Sequence, residues 1–265
     1  MKLGFILPLA IVLSGFATHA LALGANGHRI VAQLAEYHLT PEARAAVNEI
    51  TRGQPLAQLS TWPDFLYSDS TWTRATPWHF VTIRDEFTVD NYPREKAGDV
   101  LQALPKFEAV LRDRSASAEA KWQALAFFTH FVGDVHQPLH VGNGDDLGGN
   151  TVKLLWQGAP SNLHKVWDTE MIQLEQLSYT EYTVFLDTIT PEQIGRWQSA
   201  SYGEWAAESK ALRAQVYDFG DQKGADIALS WDYNFRNKAT INLRMQQAGI
   251  RLAGKLNAIF AARKN

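Results

Sequence analysis

Residues 118–140 read AEAKWQALAFFTHFVGDVHQPLH. From Ala118 to about Val135 the run is apolar on several faces at once, through Trp122, Leu125, Ala126, Phe127, Phe128, Phe131 and Val132. That pattern predicts a helix enclosed by other helices rather than one lying on a surface. Gln137-Pro138 predicts its end, because the residue before a proline is pushed out of the helical region. Inside this greasy helix sit His130 and Asp134, four apart and so on one face. An unpaired carboxylate at such depth is expensive. One or more divalent cations are the most economical partners.

Working outward, apolar residues recur at three- and four-residue spacing through Ile30, Val31, Leu34 and Ala35, and through Leu101, Leu104, Phe107, Val110 and Leu111. Thr40-Pro41-Glu42 is a helix start, a capping side chain followed by proline at the first helical position. Further helices are expected at about 161–174, 201–218 and 236–262, the last with a stripe of Ile241, Leu243, Met245, Ile250, Leu252, Leu256 and Ile259. GNGDDLGGN at 142–150 is a loop by composition, and Thr151–Trp156 is the strand candidate, the seed of a small β-hairpin. No repeat, low-complexity linker or compositional break divides the 265 residues. The expectation is all-α, a single helical domain over 23–265 acting as a monomer.

The first 22 residues, MKLGFILPLAIVLSGFATHALA, are an address: one lysine, an apolar run, then Ala20-Leu21-Ala22. This is the order of a secretory signal peptide, with cleavage at Ala22/Leu23 and a secreted or periplasmic product. Beyond it no stretch approaches the roughly 20 apolar residues of a membrane span. The net charge of −3 provides no basic field for gripping phosphates by charge alone. The absence of cysteine excludes thiolate zinc sites, disulfides and cysteine nucleophiles together. Any metal must be held by His, Asp, Glu or backbone groups.

Seven histidines remain after the signal, and five keep suggestive company: His28, His79, His130, His140 and His164. His164 and Asp168 repeat the four-residue spacing of His130 and Asp134. Imidazole and carboxylate are the N/O pair that suits zinc. Asp64, in STWPD at 60–64, and His79, in PWHF at 77–80, add two donors flanked by aromatics. Each element alone also fits a bland role: a satisfied core histidine, a helix cap at Asp64, a hydrogen-bonded strand residue at His79. His38 and His136 suggest plain structural histidines.

The whole run His130–His140, with Gly148-Gly149-Asn150, Asn162-Leu163-His164 through Trp167-Asp168, Trp62-Pro63-Asp64, His79-Phe80 and Gly24-Ala25-Asn26-Gly27-His28, resembles the zinc-dependent, single-strand-specific type I nucleases of fungi, plants and bacteria. The motifs come in the family's order from the expected mature terminus to about residue 168. The absence of disulfides resembles the bacterial members. The resemblance implies three Zn2+ at the base of a cleft. Asp64, His79, His130 and Asp134 would hold one ion. Asp134 would bridge to a second, shared with His28 and with the amino nitrogen and carbonyl oxygen of the terminal residue. His140, His164 and Asp168 would hold the third. The family places that terminal residue five before His28, which is Leu23, the residue the cleavage rule also selects.

The resemblance further implies hydrolysis of RNA and single-stranded DNA to 5′-phosphate products and 3′-nucleotidase activity. Asp64 would orient or deprotonate the attacking water, Asn150 would donate to a phosphate oxygen, and Phe80 would stack a base; a core aromatic is the bland reading of Phe80. Three positions depart from the family. Leu23 replaces its usual Trp, Tyr67 stands where some fungal members carry an Arg near the scissile phosphate, and Thr82 stands where those members have an Asp that reads the base edge. The alternatives are a zinc-dependent phospholipase C, which shares a three-zinc helical cluster, and a non-catalytic secreted zinc-binding protein.

Overall fold

The computed structural model describes residues 23–224 and 227–261; the expected signal segment, 1–22, lies outside the described residues. Helices Ala25–Tyr37, Pro41–Thr51, Val100–Arg112, Ala118–His136 and Trp231–Phe260 form most of the core. The Ala118–His136 helix runs through the middle, with every residue from Ala124 to His136 buried. Ser117 caps its start by accepting from the Ala120 amide, and Gln137, extended at φ −83° and ψ 120°, ends it as the proline rule predicts. Thr40 likewise caps Pro41–Thr51, accepting from Ala43 at 3.2 Å.

The hairpin pairs Lys153–Trp156 with Ala159–Asn162 in antiparallel register, Trp156 opposite Ala159. Its two-residue turn, Gln157-Gly158, has positive φ at both positions, as a twisted hairpin requires. Ser161 and Asn162 therefore belong to a strand, not to the expected helix at 161–174. That helix starts at Leu163, where Asn162 caps it by accepting from the Lys165 amide. It then widens into a π segment, Val166–Glu170, before Met171–Leu174. The expected helix at 201–218 is broken into Tyr202–Ala211 and Arg213–Val216. The last helix begins at Trp231, five residues before the expected start at about 236, and Leu243 on its apolar stripe is exposed. Helices Tyr179–Leu186 and Pro191–Gln198, not anticipated above, each start with a capping box, Ser178 with Glu181 and Thr190 with Gln193.

One buried polar knot ties the central helix to the last one. Arg251 donates to Glu208 at 2.6 and 2.7 Å and meets His136 Nε2 at 2.8 Å. His136 Nδ1 donates back to the Val132 carbonyl at 2.7 Å. The imidazole is thus satisfied on both nitrogens. It fixes the helix end from which the next residues turn toward the site.

Candidate metal centre

Six short or helical elements converge on one buried point. The central helix delivers His130 and Asp134, and Ala25–Tyr37 delivers His28. The turn Trp62–Phe65 carries Asp64, and the 3-10 segment Ser70–His79 ends on His79. The 3-10 turn Pro138–His140 supplies His140, and the stretch from Leu163 into the π segment supplies His164 and Asp168. Single π turns often mark functional sites. So neither bland reading of Asp64 or His79 holds: Asp64 lies inside its turn rather than at the cap, and His79 closes a 3-10 segment.

Asp134 is the hub. Its Oδ1 lies 3.4 Å from His28 Nε2 and 3.7 Å from His140 Nδ1, and its Oδ2 lies 3.1 Å from His79 Nδ1 and 3.3 Å from His130 Nε2. His130 Nε2 is also 3.4 Å from Asp64 Oδ1. On the other side, Asp168 reaches His140 Nε2 at 3.6 Å and His164 Nε2 at 2.8 Å. Among the described residues the possible ligand atoms fall into three buried groups: His28, His130 and Asp134; Asp64, His79 and His130; and His140, His164 and Asp168. His130 falls in two of them, but its Nε2 has one lone pair and can serve one ion.

Distant carbonyls set the tautomers. His130 Nδ1 donates to the Ser60 carbonyl at 2.7 Å, His140 Nδ1 to that of His79 at 2.8 Å, and His164 Nδ1 to that of Gly148 at 2.6 Å. A ring nitrogen that donates carries the proton, so each Nε2 keeps its lone pair for a cation. Gly148 can present its carbonyl because it sits at φ +63°, with Leu139 O only 2.5 Å from where a Cβ would stand. Gly133 answers a different need. A Cβ there would lie 2.8 Å from His28 Nδ1, so the glycine lets that ring close on the central helix, where it stacks on His130 with centroids 3.7 Å apart.

Burial sets the protonation states. It pushes the His28 and His79 imidazoles well below their usual range, reinforced by the neighbouring His130, and holds His130 down at about 3. All three are neutral at pH 7 and able to bind a cation. Burial, then the charges of Asp64 and Asp168, pushes the Asp134 carboxyl well up. Burial also works against ionising Asp168, but the adjacent His164 prevails and holds it at about 2, while His164 itself is raised.

The donor set fits divalent metal. Buried His28 Nδ1 and Nε2, Asp134 Oδ1 and His140 Nε2 have no hydrogen-bond partner. Each such group costs about 1–3 kcal/mol. Ring nitrogens and carboxylate oxygens gathered on one buried point are what a dication satisfies.

Above this floor opens a cleft of about 510 Å³ whose walls include Tyr67, Phe80, Thr82 and Asn150 beside His79 and His140. Phe80 is 41% exposed to it. Tyr67 lies ring to ring with His79, centroids 5.3 Å apart, and burial with the nearby carboxylates keeps its phenol protonated. The Asn150 amide nitrogen donates to the Leu147 carbonyl at 2.9 Å. A second cavity of about 600 Å³ holds none of the ligand residues, and its Arg213 is engaged by Asp85 at 2.6 Å.

The family model of the S1/P1 nucleases matches residues 23–261. The chain belongs to the S1/P1 nuclease family. It is 32% identical to nuclease P1 of Penicillium citrinum, over 90% of this chain and 98% of that protein. Nuclease S1 of Aspergillus oryzae is 30% identical over 96% and 97%, and endonuclease 4 of Arabidopsis thaliana 29% over 96% and 94%. The match places the chain with nucleases rather than with phospholipases C.

Within this S1/P1 chain, all the side chains expected to hold metal converge. Leu23 is 4% exposed and packs against the Cα of Gly27. A Cβ on Gly24 would lie 2.8 Å from the Asp168 carbonyl, so the first described residues press against the centre. Missed from sequence were the three carbonyls of Ser60, His79 and Gly148, and Gln137. Gln137 Nε2 donates to Asp168 Oδ1 at 2.6 Å while its Oε1 accepts from the Leu139 amide at 2.5 Å. A polar residue held between a helix end and a proline was the available signal. His38 pairs with Asp187 at 2.8 Å on the surface, and His136 faces the arginine knot.

Proposed function

We propose that the chain is an exported zinc-dependent endonuclease that hydrolyses phosphodiesters of RNA and single-stranded DNA to 5′-phosphate products and removes the 3′-phosphate of nucleotides. The observation that carries this reading is the convergence of five imidazoles and three carboxylates beneath an open cleft lined by His79, His140 and His164, with the ring nitrogens of His28 and Nε2 of His140 lacking a hydrogen-bond partner. One Zn2+ would be held by Asp64, His79, His130 and Asp134. A second would take Asp134, His28 and the amine and carbonyl of Leu23, exposed by removal of 1–22 in a secreted or periplasmic monomer. The third would take His140, His164 and Asp168.

Bound there, the dications would outweigh the three carboxylates, acidify water and neutralise charge developing on the phosphoryl oxygens. Asp64, whose Oδ1 lies 3.4 Å from His130 Nε2, would orient the attacking water and accept its proton. Asn150 has a second amide hydrogen to give a phosphate oxygen, since only one is engaged by Leu147. Tyr67, protonated in the wall, is a donor where the fungal arginine would stand. Thr82 offers a hydroxyl to the base edge. Phe80 presents its exposed face to one unpaired base, which favours single strands because duplex bases must first be unstacked.

Two measurements test this. Excess chelator should abolish cleavage of single-stranded DNA, RNA and 3′-AMP, and added zinc should restore it; cleavage that persists in chelator would sink the reading. Phe80→Ala should raise KM for single-stranded oligonucleotides about 10–100-fold, from the roughly 1–3 kcal/mol of one base stack. Unchanged KM on every substrate would remove Phe80 from the base site.

A further inference from the structure

The outer side of the cleft wall carries two cations that make no ion pair among the described residues. The segment Ser70–His79 turns Thr76 and His79 into the cleft but holds Trp72, Arg74 and Trp78 away from it. Arg74 lies over the Trp72 ring, Cζ 5.1 Å from its centroid. Lys106, from helix Val100–Arg112, sits with Nζ 4.2 Å from the Trp78 centroid and 5.4 Å from that of Phe107. Neither makes an ion pair among the described residues. The cation inside the cleft differs: Arg84 is held by Asp145 at 3.0 Å. Burial and then the nearby Arg74 charge pull the Lys106 ammonium down from its usual range, which places the two cations within reach of each other's field.

An aromatic face fixes a cation's position without cancelling its charge. The ring quadrupole holds the ammonium or guanidinium, yet leaves its hydrogens and net charge for an anion, whereas a carboxylate partner would consume both. The patch borders the cleft wall, Arg74 standing two residues from Thr76, which lines the cleft. The Trp78 indole donates to the Ala97 carbonyl at 3.0 Å, and the same loop lines the cleft through Pro93 and Glu95. A chain leaving the cleft over this wall would meet Arg74 and Lys106 next.

We infer that Arg74 and Lys106 form a second contact site for the phosphates of single-stranded nucleic acid, outside the metal cleft. The site rests on the nuclease reading for the identity of its ligand. It gives an acidic protein a local cationic track and makes long substrates bind better than short ones. The cations touch phosphate rather than base, so the contribution is independent of sequence.

The test compares the wild-type protein with Arg74→Gln/Lys106→Gln on two substrates, a single-stranded oligonucleotide of about 16 nucleotides, the upper range of a single-strand site, and a 3′-mononucleotide too small to leave the cleft. The double variant should raise KM for the oligonucleotide about tenfold and keep kcat/KM for the mononucleotide within about twofold. Binding of the same oligonucleotide to chelated protein should weaken in parallel. Its log–log salt slope should shrink by about 1.4, roughly 0.7 for each lost phosphate contact on a single strand. Lys106→Arg, which keeps both charge and ring contact, should restore most of the loss seen in Lys106→Gln.

Unchanged oligonucleotide KM and salt slope would overturn the inference. So would a parallel fall on both substrates, which would mean that Lys106 merely packs Trp78 against the cleft wall. Should the wild-type protein cleave no phosphoester, the nuclease reading falls, and the chelated binding experiment still decides the patch.

Discussion

Asp134→Asn is expected to lose about 10³-fold or more in kcat/KM on every phosphoester, and to copurify with less zinc. The carboxylate stands within 3.1–3.7 Å of nitrogens on His28, His79, His130 and His140, so no other single side chain touches as much of the centre. A cation clamp of this kind is worth several kcal/mol of transition-state charge stabilisation, at about 1.4 kcal/mol per factor of ten. Asparagine keeps the shape and removes the charge. The same substitution should act in the opposite direction on the chelated protein. Burial holds the Asp134 carboxyl well above its usual range. In the metal-free fold at pH 7 its ionisation is therefore a cost that the unfolded chain does not bear. An amide avoids that cost, and the metal-free variant should unfold about 2–10 °C later than metal-free wild type, from roughly 1–3 kcal/mol. Adding zinc should then raise the midpoint of wild type more than that of the variant. Full activity with a full complement of zinc in Asp134→Asn would remove Asp134 from the centre.

The second large effect concerns the chain terminus. A mature protein carrying one extra residue before Leu23 should bind one zinc fewer and lose about 10²–10³-fold in activity, by the same several kcal/mol for a lost cation. A free α-amine, with a pKa near 7.7–8.0, can offer a lone pair at neutral pH, whereas an amide nitrogen cannot. Such a co-ligand would complete the site of His28, whose Nε2 lies 3.4 Å from Asp134 Oδ1 with no hydrogen-bond partner of its own. The surroundings leave little space for an extension, since Leu23 is buried and Gly24 is crowded by Thr169 and by the Asp168 carbonyl. Native mass spectrometry of the extended and trimmed proteins would count the metals, and proteolytic removal of the extra residue should restore both metal and activity. An extended protein with full metal and full rate would show that the terminus is not a ligand.

Much of this centre was legible in the chain because the relevant rules are local. Four-residue spacing put His130 beside Asp134 on a helix whose apolar surroundings made the carboxylate conspicuous. Thr40 and Gln137-Pro138 announced a helix start and a helix end through contacts within three or four residues. The capping boxes at Ser178 and Thr190 are equally local, but the helices behind them are only eight residues long and carry little periodic signal. Other features had no local signal. The spacing of His164 and Asp168 was readable, but the π segment Val166–Glu170 that the pair runs into was not, since it depends on how that turn packs against its neighbours.

The sequence by itself determined that His130 and Asp134 share one face of a buried helix, since helix periodicity, caps and proline stops act over one turn, while the fuller donor set was implied by the family resemblance. Only the tertiary structure decided which nitrogen of His130, His140 and His164 faces the centre. His130 takes its tautomer from Ser60, 70 residues away, and His140 from His79, 61 residues away. A proton's place on an imidazole is set by the acceptor that the fold brings to it, and that acceptor is a backbone carbonyl, which every residue type possesses and no sequence pattern marks.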